Sequence, residues 1–291
     1  MSISTTMQPA FYTGYQGVRL AADVGGDPSA PPVILLHGGG QTRHSWGKAA
    51  RELLAAGYHV LTLDLRGHGD SQWAPDGDYS MNAFVGDLLA VVRTLRRAPA
   101  LVGASLGGAT SMIAVGEADG PVASALVLVD VVPRMEQQGI ARIRNFMRGN
   151  PDGFANLDEA AAAVTAYNPT RPRPASNAGL MKNLRRGADG RLYWHWDPAF
   201  QNGRSDRGTG AVYDRMDAAA ARIRIPTLLV RGKASEVVSE AGARHLHGLM
   251  PHADTVDVEG AGHMVAGDKN DAFNGAVLGF LGRTLGSRHA A

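Results

Sequence analysis

One stretch limits the fold of this chain more than any other: Leu101-Val102-Gly103-Ala104-Ser105-Leu106-Gly107-Gly108. An apolar run enters a Gly-x-Ser-x-Gly pattern, and a helix-like segment, 109–118, leaves it. A strand running straight into a helix needs a sharp turn, the layout called a nucleophile elbow, and its serine is lifted off the sheet edge in strained backbone angles. Gly103 and Gly107 suit that turn because a Cβ at either place would crowd it. A helix starting near Leu106 aims its free N–H groups and the positive end of its dipole at the reacting atom. A tight turn with an idle serine would use the same glycines, so the pattern needs support from elsewhere in the chain. Two other glycine-rich readings fail. No Gly-Lys-Ser/Thr follows, as a phosphate-binding loop requires, and residues 103–108 do not spell the G-x-G-x-x-G of a dinucleotide fingerprint.

The flanking sequence supplies a rhythm. Residues 11–24 read as an antiparallel hairpin broken at Gly14 and Gly17, and Val33-Ile34-Leu35-Leu36 as a strand buried on both faces. It ends in His37-Gly38-Gly39-Gly40-Gln41, where glycines leave backbone N–H groups bare. Either Gly39 or Gly40 could offer such a group to a ligand, and its position after His-Gly favours Gly39. A helix follows over 48–56, closed by Gly57, then a strand over 59–63 and a polar loop, Asp64-Leu65-Arg66-Gly67-His68-Gly69-Asp70-Ser71, in which Asp64 and Arg66 are expected to bridge loops. Residues 79–97 carry apolar side chains at helical spacing behind a candidate N-cap, Ser80. After the elbow comes another strand, 122–129, ending at Asp130. Strands alternating with helices build a parallel sheet with right-handed crossovers.

From 134 to 225 the alternation stops. Helical stretches at 140–148 and 157–167, a proline-kinked segment at 168–174 and an aromatic cluster at 193–198 replace it, and no buried strand is evident. We read this span as an inserted helical cap. The sheet resumes at 226–232 and 253–259, with a helix at 240–250 between and another at 272–285 after. His37, Gly40, Trp194 and Trp196 are the candidates for lining a substrate pocket, although packing between cap helices would use the tryptophans equally well.

Composition removes several classes. No residue among the 291 is cysteine, which excludes disulfides, thiolate nucleophiles and cysteine-based metal sites. The cap span holds 15 Lys and Arg against 9 Asp and Glu. These arginines are dispersed among alanines and acids, the pattern of solvated helix faces, so nucleic acid is not expected as a partner. No apolar run approaches the roughly 20 residues of a membrane span. Residues 1–10 lack the basic start and apolar core of a signal peptide, so a cytoplasmic location is expected.

Ser105 needs a base. Among ten histidines, His263 stands in the small-residue loop after the last strand, within reach of the sheet edge. His245 and His247 lie two apart on a helix and do not share a face, so no metal site is expected. An acid is needed to orient the base. Glu236, after the strand that follows the cap, and Asp130, after the strand that precedes it, both give the order serine, acid, histidine.

Taken together, His37-Gly38-Gly39-Gly40 with Trp46, residues 64–71, Gly103-Ala104-Ser105-Leu106-Gly107-Gly108, residues 126–130 and Gly260-Ala261-Gly262-His263 resemble the α/β-hydrolase fold superfamily. The similarity is to its capped branch of epoxide hydrolases, haloalkane dehalogenases, cofactor-free haloperoxidases and esterases. The resemblance implies an α/β fold with a mostly parallel eight-stranded sheet flanked by helices. Residues 1–133 and 226–291 would form the core and 134–225 the cap. It implies Ser105 as nucleophile, His263 as base and the N–H groups of Gly39 and Leu106 as an oxyanion hole. The family's acid usually follows the strand after the cap, which favours Glu236, although the family aspartate position is occupied here by Ser235. In other relatives the acid precedes the cap, which is Asp130. Epoxide hydrolases and dehalogenases of this branch use an aspartate nucleophile, so Ser105 sets the chain apart from them. The implied activity is cleavage of a carboxylic ester or similar small acyl substrate through an acyl-enzyme, with no metal or organic cofactor. Carbon–carbon bond hydrolysis, cofactor-free perhydrolysis and a non-catalytic small-molecule receptor are the alternatives. Nothing in the sequence speaks to oligomeric state.

Overall fold

In the computed structural model, which describes residues 6–169, 176–202, 210–263, 265 and 270–286, the apolar runs become the strands of one eight-stranded sheet. In chain order these are β1 (Gln8–Thr13), β2 (Arg19–Gly25), β3 (Pro32–Leu36), β4 (His59–Leu63), β5 (Ala100–Ala104) and β6 (Ala125–Val129). After an interruption come the last two, here numbered β9 (Thr227–Gly232) and β10 (Asp254–Val258), because a small separate hairpin, β7 (Leu184–Arg186) and β8 (Leu192–Trp194), intervenes. The order across the sheet is β1-β2-β4-β3-β5-β6-β9-β10. β2 runs antiparallel to both neighbours, and every other pairing is parallel. β5, which carries the elbow, is therefore central.

Central strands are apolar throughout because both sheet faces are covered. Alternate residues point to opposite sides. Val33 and Leu35 of β3 join one apolar cluster while Ile34 and Leu36 join the other. One face is covered by α1 (Gly47–Ala55) and the helix Asn270–Leu285, through Leu53, Leu54, Phe273 and Phe280. The other is covered by α2 (Met81–Val92) and α3 (Leu106–Glu117), through Phe84, Leu88, Met112 and Ile113. The Ser80 hydroxyl caps α2 by accepting from the Ala83 amide, and Gly57, at φ 84°, turns the chain out of α1.

Between β6 and β9 lie α4 (Gln137–Arg148), α5 (Leu157–Tyr167), the β7–β8 hairpin, α6 (Ala199–Asn202) and α7 (Gly210–Arg222). The hairpin was not expected. Its strands have three residues each, too few to display an alternating pattern. α7 packs on the flanking helix α3, where a Cβ on Gly116 would lie 2.5 Å from Ala219 Cα, and so joins the core layer. Most of the proline-kinked segment, residues 170–174, and Met264 lie outside the described residues. Among the described residues no helix is long and apolar enough to cross a membrane.

Candidate active site

Ser105 links β5 to α3 with φ 44° and ψ −111°, a conformation that L-residues rarely adopt. Glycines make the turn possible by letting backbones meet. A Cβ on Gly103 would fall 2.5 Å from the Gly107 carbonyl oxygen, and one on Gly107 2.5 Å from that of Leu36. The second contact seats the start of α3 against the end of β3, and so brings Ser105 beside the glycine loop. A Cβ built on Gly38 would be 3.4 Å from the Ser105 Cβ.

A second strained residue stands at the end of the neighbouring strand. Asp130 has φ 48° and is fully buried. The bend turns its carboxylate toward the loops after β9 and β10. Oδ1 accepts the Gly232 amide at 3.0 Å, and Oδ2 accepts the Ser235 hydroxyl at 2.6 Å and His263 Nδ1–H at 2.7 Å. The two loops are themselves joined, since the Ala234 amide donates to the Ala261 carbonyl at 3.0 Å. Gly232 permits that approach, because a Cβ there would lie 2.7 Å from the Ala261 oxygen.

The expectation that Glu236 partners His263 is corrected by this geometry. Glu236 is on the loop after β9 but its carboxylate pairs with Arg142 of α4. The side chain on that loop that meets Asp130 is Ser235, one residue earlier. A carboxylate after either strand satisfies the sequence pattern, and only the turn at Asp130 and the pairing of Glu236 with Arg142 distinguish them.

The glycine loop after β3 is pinned by histidines. His37 donates Nδ1–H to the Gly38 carbonyl at 2.8 Å and accepts the Leu65 amide on Nε2 at 3.0 Å. His68 donates Nδ1–H to the Arg66 carbonyl at 3.0 Å and accepts the Gly40 amide on Nε2 at 3.1 Å. The Gly38 amide donates to Gln41 Oε1 at 3.0 Å. Of the three glycine amides, Gly39 alone has no partner among the described residues. Gly40 is thereby removed as an alternative donor. His37, expected to line a pocket, is fully buried and has no place in the cavity wall; its burial pushes the imidazole below its ordinary pKa. Asp64 and Arg66 bridge loops as expected, through Arg43 and Asp87.

Ser105, Gly39, Leu106 and His263 open on one cavity of about 1880 Å³ that the segment between β6 and β9 partly encloses. Gly40, Trp194 and Trp196 also line it. The two indoles are stacked, with centroids 5.0 Å apart, and a Cβ on Gly40 would be 3.4 Å from the Trp196 ring. Phe200 approaches Gly39 in the same way, at 3.4 Å. Among the described residues there is no cluster of three or more side chains suited to a metal ion.

The family model for the alpha/beta hydrolase fold matches residues 31–269. The chain belongs to that family. Among its relatives is the esterase Rv0045c of Mycobacterium tuberculosis, 35% identical over 264 residues that span 87% of this chain and 83% of the relative. The sn-1-specific diacylglycerol lipase ABHD11 of Mus musculus is 28% identical over 88% of this chain and 82% of its own. Among solved structures, E-2-(acetamidomethylene)succinate hydrolase superposes with a TM-score of 0.83 over 95% of this chain and 99% of its own, at 23% identity. This alpha/beta-fold protein is thus a serine hydrolase.

Two features of the hydrolase went unread in the sequence. Ser235 was visible only as a departure from the family's aspartate. His195, within the aromatic cluster, accepts the Gly69 amide on Nδ1 at 2.7 Å and joins a tilted stack with His68, centroids 5.8 Å apart. Burial first, then the proximity of His37, pushes the His195 imidazole down to about 3. It is neutral near pH 7 and serves as an acceptor. No sequence pattern marks such a histidine.

Proposed function

We propose that this hydrolase cleaves carboxylic esters through an acyl-enzyme, with Ser105 as nucleophile, His263 as base and Asp130 as the acid. The observation that carries the reading is the 2.7 Å hydrogen bond from His263 Nδ1 to a buried carboxylate, on the wall of the cavity onto which strained Ser105 opens. With Nδ1 donating to Asp130, Nε2 is the nitrogen free to act as base. Ser105 Oγ attacks the ester carbonyl as His263 Nε2 takes its proton. The oxyanion that forms rests on the amides of Gly39 and Leu106, a contribution of about 3 kcal/mol per donor. Nε2 then protonates the departing alcohol. Water adds to the acyl-serine with its proton going to Nε2, and collapse releases the acid and restores Ser105. Asp130 stabilises the imidazolium in both halves. Relatives named as an esterase and a lipase support a small-molecule ester as the substrate class.

The test is hydrolysis of p-nitrophenyl acetate and butyrate, with fluorophosphonate labelling alongside. Ser105→Ala is expected to abolish both. Asp130→Asn should lower kcat by about 10³–10⁴, whereas Glu236→Gln should keep kcat within about threefold. The reverse ranking of those two carboxylates would overturn the assignment.

A further inference from the structure

We propose that Ser235 is a positioning residue of the hydrolytic centre, its hydroxyl holding the Asp130 carboxylate in the orientation that receives His263. The proposal rests on the assignment of Asp130 and His263 made above. A serine hydroxyl has one proton to donate and two lone pairs to accept with. At Ser235 all three are committed. The amides of Val237 and Val238 each donate to Oγ at 3.1 Å, and Oγ lies 2.6 Å from Asp130 Oδ2. Two incoming N–H groups fill the acceptor positions, so the remaining proton goes to the carboxylate. Its direction is fixed by backbone rather than by the hydroxyl's own torsion.

The effect on Asp130 follows. Oδ2 receives Ser235 on one side and His263 on the other, and Oδ1 receives the Gly232 amide. Two of these donors are anchored at the end of β9 and in the loop after it, so the carboxylate plane is set before the imidazole docks. Without the Ser235 donor, Oδ2 keeps only His263 and the carboxylate can turn about its Cβ–Cγ bond. The imidazole would turn with it, moving Nε2 relative to Ser105. Proton transfer is sensitive to such misplacement, since about 1 Å is worth up to about 10²-fold in rate. Ser235 is only half-buried and forms no part of the cavity wall, so its influence falls on turnover rather than on binding.

The experiment uses the full-length protein with Ser235→Ala, Ser235→Thr and Ser235→Cys, and reads kcat and KM on p-nitrophenyl butyrate. The low-field proton resonance of His263 Nδ1–H is read in parallel, assigned by its loss in His263→Ala. Ser235→Ala is expected to lower kcat by about tenfold with KM within about twofold, and to move or broaden the resonance. Ser235→Thr, which keeps the hydroxyl, should recover kcat to within about threefold. Ser235→Cys, of similar size but a weaker donor, should fall between and covers the case in which the alanine variant does not fold. A kcat unchanged in Ser235→Ala or Ser235→Cys with the resonance unmoved would overturn the proposal. So would a threonine variant as slow as the alanine one. The resonance also separates the two claims. A parent protein that hydrolyses no ester, yet whose signal shifts in Ser235→Ala, sinks the esterase reading and leaves the positioning role standing.

Discussion

His195 shows what a single buried side chain does to the pH response of this protein. Its imidazole is neutral in the folded state down to about pH 3, whereas in the unfolded chain it takes up a proton near its ordinary value of about 6.5. Between those limits the unfolded state binds more protons, so stability falls as pH falls. The contribution is whole above about pH 6.5 and is lost progressively on the way down to about pH 3, with a slope of up to about 1.4 kcal/mol per pH unit for one such group. His37, also held below its ordinary pKa by burial, acts in the same direction. In His195→Asn an amide oxygen can still accept the Gly69 amide, but no titrating group remains. Thermal melts from pH 7 to pH 4 should therefore show a smaller drop in Tm for this variant than for the parent. Equal drops would mean that other groups dominate the acid response. None of this was legible in the sequence, because a neutral acceptor histidine is made by its surroundings. The elbow was legible for the opposite reason. Gly103 and Gly107 are required by backbone contacts that no other residue tolerates, so the need is written in the residue type itself.

Among the elements, α4 carries the clearest tie between the segment over the cavity and the core beneath it. Arg142 pairs with Glu236, bonds the Tyr167 carbonyl at the end of α5, and lies 5.2 Å from the Tyr167 ring centroid. Tyr167 in turn stacks on Phe146 at 4.3 Å. Arg142 and Glu236 are both partly exposed, so the ion pair itself is worth at most about 1 kcal/mol, and the cation–ring contact adds about as much. Arg142→Ala should loosen α4 over the cavity, raising KM about three- to tenfold while kcat changes less. A KM unchanged within error would show that α4 is held by its apolar face alone. The central strands and flanking helices of the core were readable because buried parallel strands are continuously apolar and the covering helices repeat every three to four residues. The choice of acid was not. Both candidates follow a strand, and what separates them is a left-handed turn at Asp130 and a distant arginine. The packing of α7 was not readable either: its sequence is that of an ordinary helix, and only the structure shows Ala219 set against Gly116 of α3.

At the scale of the molecule, the sheet divides the interior into two apolar clusters, and one of them does not stop at the core. Met147, Trp194, Trp196 and Phe200 share a cluster with Leu106, Phe84 and Met216. Burial that continuous couples the segment over the cavity to the sheet, and such coupling makes unfolding all-or-none. Melts followed by far-ultraviolet and by near-ultraviolet circular dichroism should coincide, because two of the four tryptophans lie in that shared cluster. An earlier tryptophan transition would show instead that the covering segment melts on its own. The contact of Phe200 with Gly39 carries this coupling to the chemistry. If the Gly39 amide receives the nascent anion as proposed, a covering segment transplanted from a relative would bring it a different ceiling. Chimeras of this enzyme are therefore expected to change how fast a bound molecule reacts as well as which molecules are admitted.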